Sequence, residues 1–456
     1  MAKDKLTEYS ATNASNDVIG DINVAEGMLP SAVNNALREQ MTHLKNFADG
    51  TDGINVLSLD DDDASAAIKI QAPSAVTTTT TLTLPDGDGD AGAMLQTNGA
   101  GQLAWSTAYR NRNIIVNGAC AVSQRSTSVS SVTSGGYKTV DRFGLTLNSS
   151  GTFTVSQSST APEGFANSLK FDCTTADASP DYFIIEHKIE GQDLQQLKKG
   201  TSNAESVTLS FYVRSSKTGT YQVNLRDNDN SRQIGSTYAI SSANTWERKE
   251  ITFAGDTTGV FDNDNASSLE IEWWLAAGGT YNSGAVPTAW EAQSNGDRAA
   301  GLNVAIGAST SDDFYITGVQ LEVGEQATPF EHRSYGDELT KCQRYYQQVG
   351  GAGNTLALGQ CNSTTQVQFF YPLPYPIRAD ATVSVSDATH FRLFNATISG
   401  IPQVTSMTFV PAGSATNNGF RLYANVASGL SAGNVSHLFG NNASGDTGII
   451  KIDAEL

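Results

Sequence analysis

The stretch Leu269-Glu270-Ile271-Glu272-Trp273-Trp274 holds the side chains with the most chemistry to offer. In an extended strand, alternate residues face opposite ways. Leu269, Ile271 and Trp273 then share an apolar face, and Glu270, Glu272 and Trp274 share a polar one. An indole beside two carboxylates suits a sugar. The C–H faces of a saccharide stack on aromatic rings, and its hydroxyls bond to carboxylates, amides and guanidinium groups. Tyr212, Arg214, Asn224 and Arg226 fall on the polar faces of two other alternating strands, VTLSFYVRS and YQVNLRD. If these strands line one sheet, the seven polar residues form a glycan-binding groove. The alternative is that a loop covers Trp274 and the charges pair with one another.

Catalysis finds little support. A glycosidase needs two carboxylates about 5–10 Å apart. Glu270 and Glu272 stand roughly 7 Å apart along a strand, but any polar strand face gives that spacing. The five histidines, His43, His187, His332, His390 and His437, form no metal or acid–base motif, and no G-x-S-x-G elbow is present. The chain is therefore read as a non-enzyme without a cofactor or metal. Asp86, Asp88 and Asp90 alternate with Gly, but Thr97 stands where a calcium loop of the EF-hand type needs Glu. They read as a solvated turn, as do Asp60–Asp63 and the pairs Asp227/Asp229 and Asp262/Asp264. Trp246 opens a strand and reads as core. Trp290, in VPTAWEAQ, is a tip contact or a loop anchor.

These residues need elements to hold them. The 456 residues leave room for two to four domains. Charged residues are only 16%, against roughly 25% in an ordinary globular protein. Ser, Thr, Asn and Gly fill the gap, which suits short strands and tight turns. A net charge of −19 argues against nucleic acid and against an anionic membrane surface. No run approaches ~18 apolar residues, so no membrane insertion is expected. The start, MAKDKLTEYSATNASND, lacks the apolar core of a signal peptide, which implies synthesis in a cytoplasm without export. Cys120, Cys173, Cys342 and Cys361 form no C-x-x-C pair and read as reduced or buried thiols, with a Cys342–Cys361 bridge left open.

The pattern predicts a mainly β chain. Its one clear helix spans 31–48, with Ser31 as N-cap. Leu37, Met41, Leu44 and Ala48 recur at spacings of four, three and four, a coiled-coil seam. That seam packs either on its own domain or on two other copies. Residues 51–110 are short β-branched strands punctuated by Gly and Asp, a stalk-like sequence whose strands need interchain packing. Residues 111–335 carry long alternating strands and predict a β-sandwich or jelly roll. Residues 336–347 read as a short helical linker with Leu339, Cys342 and Tyr346 on one face. The remainder of 336–456 reads as a C-terminal β-domain.

Three stretches resemble phage tail-fibre and receptor-binding proteins. APSAVTTTTTLTLPDGDGDAGAMLQTNGAGQLAWS, residues 72–106, resembles a strand-and-turn element of fibre stalks. NRNIIVNGACAVSQR at 111–125, followed by YKTVDRF at 137–143, resembles the opening of a tail-protein jelly roll. FYITGVQLEVGEQATPFEHRSYGDELTKCQRYY, residues 314–346, resembles the end of that jelly roll and is the most specific of the three. The jelly roll also resembles a carbohydrate-binding module with a CBM4-like sandwich. The resemblance implies a homotrimer on the virion. Residues 1–50 would bind other virion proteins, Leu37, Met41 and Leu44 would form the trimer seam, and the outer domains would meet a host glycan or receptor. A purely structural fibre and a glycan-degrading spike are the alternatives.

Overall fold

The computed structural model describes residues 111–351 without a break, together with 18–19, 22–24, 29–48, 56–60, 67–71, 82–85, 94–97, 103–106, 355–394, 402–411, 418–440 and 444–456. Asp86, Asp88 and Asp90, Asp61–Asp63 and the first 17 residues lie outside them. The chain divides into two compact units, Met1–Thr83 and Leu84–Leu456.

In the first unit the helix α1 runs Pro30–Ala48. Its first residue is Pro30, a favoured opening because proline lacks the N–H that a first turn leaves unpaired. Ser31 therefore lies inside the first turn and is not the N-cap. Ala36 and His43, seven residues apart, are buried on one side. Leu37, Met41 and Leu44 point away from that side and are 55%, 69% and 56% exposed, continued by the exposed Leu29 and Val33. The seam residues do not pack on their own unit. Two antiparallel pairs complete the described parts of this unit, Val18–Ile19 with Ile22–Asn23 and Val56–Asp60 with Ala67–Gln71.

The second unit contains the sandwich. Its first sheet orders Glu247–Phe253, Val207–Ser215, Asp313–Val323, Ser168–Thr175, Thr152–Ser158 and Ser128–Val132. Its second sheet orders Glu291–Ala292, Arg232–Ile240, Gly219–Asp227, Ser267–Ala277, Tyr182–Glu190 and Gly144–Asn148. Consecutive strands repeatedly cross from one sheet to the other, the habit of a jelly roll. The inward faces follow the alternation of the sequence. Val207, Leu209, Phe211 and Val213 from the first sheet meet Tyr221, Val223, Leu225, Leu269, Ile271 and Trp273 from the second in one apolar cluster.

The C-terminal part has its own apolar cluster, shared by a three-stranded and a six-stranded sheet. A helix, α2 (Tyr335–Gln343), leads into it. Ser334 caps this helix by accepting the Asp337 N–H at 3.2 Å. The helix ends at Gln343, so Tyr346 opens a strand, Tyr346–Gly350, and does not share a helical face with Leu339 and Cys342. All four cysteines are buried, and Cys120, Cys173 and Cys342 are free thiols.

The two β-bodies meet across a buried ionic seam. Arg142 is 1% exposed; its guanidinium binds the Glu455 carboxylate and lies over the Tyr345 ring at 3.5 Å. Arg125 pairs with Asp453 at 3.0 Å and stacks on Tyr346 at 3.7 Å. Arg344 clamps Glu190 with two bonds of 2.7 Å. On the sandwich side, the Asn117 amide donates to Val122 and Asp141 carbonyls, both at 2.9 Å. Its backbone N–H donates to Glu338 of α2 at 2.5 Å. The stretches 111–125, 137–143 and 331–346 thus build this junction.

Candidate ligand face of the sandwich

The second sheet supplies Glu270, Glu272, Trp274, Asn224 and Arg226 on its outer side, in adjacent strands: Asn224 lies opposite Glu272 and Arg226 opposite Glu270. That juxtaposition agrees with the alternation of the sequence. Exposure does not. Trp274 is 0% exposed, because the connection that follows its strand folds back over it. Tyr281, Ala299 and Leu302 of that connection pack around the indole, with the Tyr281 ring centroid at 5.2 Å. Main-chain bonds hold the cover down. Gln222 Nε2 donates to the Asp297 carbonyl at 2.9 Å, Asn224 Nδ2 to the Arg298 carbonyl at 2.6 Å, and the Gly301 N–H to Gln222 Oε1 at 2.8 Å.

The charges on this face are also satisfied internally. Glu272 is fully buried and accepts from Arg226 Nη1 at 2.8 Å, from Arg298 through two nitrogens, and from the Trp274 indole at 3.1 Å. Burial alone would push this carboxyl up; the Arg298 and Arg226 guanidiniums outweigh it and hold it below the ordinary range. Glu270 is less fortunate. Burial, then the neighbouring Glu272 charge, push its carboxyl up to about 7. Two carboxylates with divergent acidities are the raw material of acid–base catalysis. Here one is sealed between two arginines, with no path for a substrate. The expected groove with an exposed Trp274 is corrected on that ground.

Tyr212 and Arg214 belong elsewhere. Their strand, Val207–Ser215, is in the first sheet, so they face away from the other five residues. What surrounds them is a second aromatic and cationic face. Tyr315 lies opposite both Arg214 and Lys170 in the register. The Arg214 guanidinium sits 4.7 Å over the Tyr315 ring, and Lys170 Nζ sits 5.4 Å from it. Trp246 meets the same ring edge-on at 6.0 Å. Tyr212 packs at 5.4 Å on Phe165, which in turn meets Phe330 at 5.0 Å and His332 at 5.2 Å.

Gly318 lets this row close. It sits at φ +61, beside the point where the Val207–Ser215 and Asp313–Val323 pairing shifts register. A Cβ there would lie 2.7 Å from Phe165 and 2.9 Å from Tyr212. Only glycine accepts both the backbone angle and the two rings. Tyr212, Arg214, Trp246, Lys170 and Phe165 are all half-buried, so the row is fixed by packing and still reaches solvent. Trp246, expected in the core, belongs to this outer face. Trp290 is a loop anchor: its indole donates to the Ala254 carbonyl at 2.7 Å. Asp227 pairs with the buried Lys199 at 2.6 Å, and Asp229 accepts the Asp262 N–H at 2.9 Å. Among the described residues no His, Cys, Asp and Glu cluster is arranged to hold a metal.

No family model and no curated protein matches the chain. Solved structures with related β-architecture do. One is an enzymatically active domain of tailspike protein 4 of bacteriophage CBA120, 13% identical with a TM-score of 0.27, over 47% of this chain and 22% of that one. Another is TmCBM61 in complex with β-1,4-galactotriose, at 11% identity and TM-score 0.24, over 47% of this chain and 100% of that one. A third is a family 11 carbohydrate-binding module from Clostridium thermocellum with a mixed-linked tetrasaccharide, at 10% identity and TM-score 0.24, over 43% and 100%. The chain spans about a fifth of the tailspike domain it matches. At these scores the likeness carries no argument about a ligand, which has to be read from the side chains.

The sealed face makes one prediction about stability. Glu270 binds its proton more tightly folded than unfolded, up to about 7 against an ordinary 4.5. The folded state therefore holds the extra proton, and stability from this group falls as pH rises from 4.5 through 7. Glu270→Gln removes the penalty. Denaturant unfolding should give equal stabilities for variant and parent near pH 4, and a variant more stable by the order of 2 kcal/mol at pH 8. A variant weaker than the parent at pH 8 would show that the Glu270 charge is stabilising.

Proposed function

We propose that this chain is a non-enzymatic attachment subunit of a phage virion, holding a surface glycan on the open face of the first sheet. The observation that carries this reading is the row of half-buried Trp246, Arg214 and Tyr212, with the buried Tyr315 ring beneath Arg214 and against Trp246. Rings fixed in place at a half-exposed surface stack on a sugar at little entropic cost. Arg214 and Lys170 supply donors beside them. The burial of Glu272 under two arginines speaks against a hydrolytic role for that face.

Homotrimerisation is part of the proposal, and it draws on α1. An acidic chain with a net charge of −19 repels its own copies, so association needs neutral apolar contact. The exposed residues Leu37, Met41 and Leu44 offer such contact at coiled-coil spacing, with the exposed Val33 one turn before them. A helix of 19 residues is marginal alone and gains from partners. Residues 1–50 would join the chain to other virion proteins. Three weak glycan sites on one fibre then bind a cell surface by avidity, each contact releasing quickly while the particle stays attached.

Two measurements check these points. On an array of bacterial surface saccharides, Trp246→Ala and Tyr212→Ala should each lower binding about tenfold, the weight of one lost stacking contact. Unchanged binding in both would remove this face as the site, and absence of any saturable binding would favour a spacer. Light scattering of the full chain should give a mass near three times 48.2 kDa, falling toward one chain when Leu37, Met41 and Leu44 are replaced by Asn. A stable monomeric parent contradicts the trimer.

A further inference from the structure

We infer that the glycan held on the first sheet carries an acidic group, a carboxylate or a phosphate, and that Arg214 is the residue that reads it. This rests on the reading of that sheet as the ligand face. Throughout residues 111–335 arginines are neutralised inside the protein. They run from Arg112 with Glu322 at 3.7 Å, through Arg226 and Arg298 on Glu272 and Arg232 on Asp256, to Arg333 with Glu338 at 2.9 Å. Arg125, Arg142 and Arg248 likewise have carboxylate partners. Arg214 is the exception. Its Nε donates to the Asn244 carbonyl at 2.9 Å and its Nη2 reaches Asn244 Oδ1 at 3.5 Å. No carboxylate among the described residues pairs with it.

The acids of the same face are already engaged. Asp172 holds Lys170 at 3.0 Å and Glu250 holds Arg248. On the other side of the edge strand, Glu247 holds Lys249 at 2.6 Å and accepts two backbone N–H groups at 2.8 Å. Asp313 accepts the Ser216 N–H at 3.0 Å. Asp313 is held by Ser216 and reaches no arginine, so Arg214 stands as the arginine of residues 111–335 with no carboxylate partner among the described residues. Its flat guanidinium is held by the Tyr315 ring, not by a counter-ion. A ring fixes the cation's position without neutralising it. The free edge then presents N–H groups in the planar fork that suits a carboxylate or phosphate. Tyr212 stands two residues before Arg214 on the same strand face, and Trp246 packs on the Tyr315 ring that carries Arg214, so an acidic saccharide would meet rings and cation at once.

The test uses the full chain on an array of matched bacterial saccharides. Uronic-acid oligomers are set against their methyl esters, and phosphorylated oligosaccharides against the unphosphorylated parents. Acidic members should bind at least about tenfold better than their neutral counterparts, as a charge-assisted contact requires. Arg214→Gln should bring that ratio close to one, and Arg214→Lys should keep part of it. A preference confined to the uronates or to the phosphates identifies which acid is read. Neutral members binding as well as acidic ones, or a ratio untouched by Arg214→Gln, would overturn the inference and leave the ligand face standing. No binding by any saccharide would overturn the ligand face itself.

Discussion

Glu272 lies in the second sheet with no exposed surface, and a carboxylate there must be met by cations or it will not stay charged. Arg226 comes from the neighbouring strand. Arg298 has to be brought in by the chain that leaves Ala277 and returns at Asp313. Once Arg298 reaches Glu272, its main chain caps Asn224 and its guanidinium lies 5.0 Å over Trp274. Tyr281 and Ala299 follow and close the indole off from water. One ion pair thus folds a long connection onto the sheet and removes its Glu272 and Trp274 side chains from contact with solvent. On the first sheet, aromatic rings and a guanidinium without a carboxylate partner among the described residues reach the surface.

The same preference for buried ion pairs joins the sandwich to the C-terminal part. Arg142, Arg125 and Arg344 cross the boundary to Glu455, Asp453 and Glu190, and two of the three stack on tyrosines of the segment after α2. Glu190, Arg142 and Glu455 are buried, so removing the partner of any of them strands a charge in a dry site. The stretches 111–125, 137–143 and 331–346 supply the arginines and tyrosines of this junction. Strands such as Val207–Ser215 lie outside this junction, and their outward residues are free of that duty.

Much of the core was legible in the sequence, because alternation is a local property. Phe211, Val223 and Trp273 face inward as their patterns require. The site was legible only in part. Alternation placed Trp274 on the outer side of its strand correctly, but it cannot say whether a later segment folds over that side. The cover uses small residues, Ala299, Ala300 and Gly301, whose only signal is that they leave room. Tyr212 and Asn224 stand in consecutive strands, yet a jelly roll sends those strands to different sheets. Their side chains therefore never meet. Tyr315 and Lys170 were missed, although Tyr315 alternates with the core residues Phe314 and Ile316. Only the register reveals that both stand beside Arg214. For α1 the spacing marked the stripe, and the burial of Ala36 and His43 shows which side the unit keeps for itself.

The central claim is that the sandwich meets its ligand with the first sheet and never with the second. Hydroxyl-radical footprinting of the full chain, free and bound to intact bacterial cells, tests this directly. The account predicts that Trp246 and Tyr212 are oxidised in the free chain and protected on binding, while Trp274 stays unreactive in both states. Oxidation of Trp274 in the free chain, with protection of residues 278–302 on binding, would contradict it.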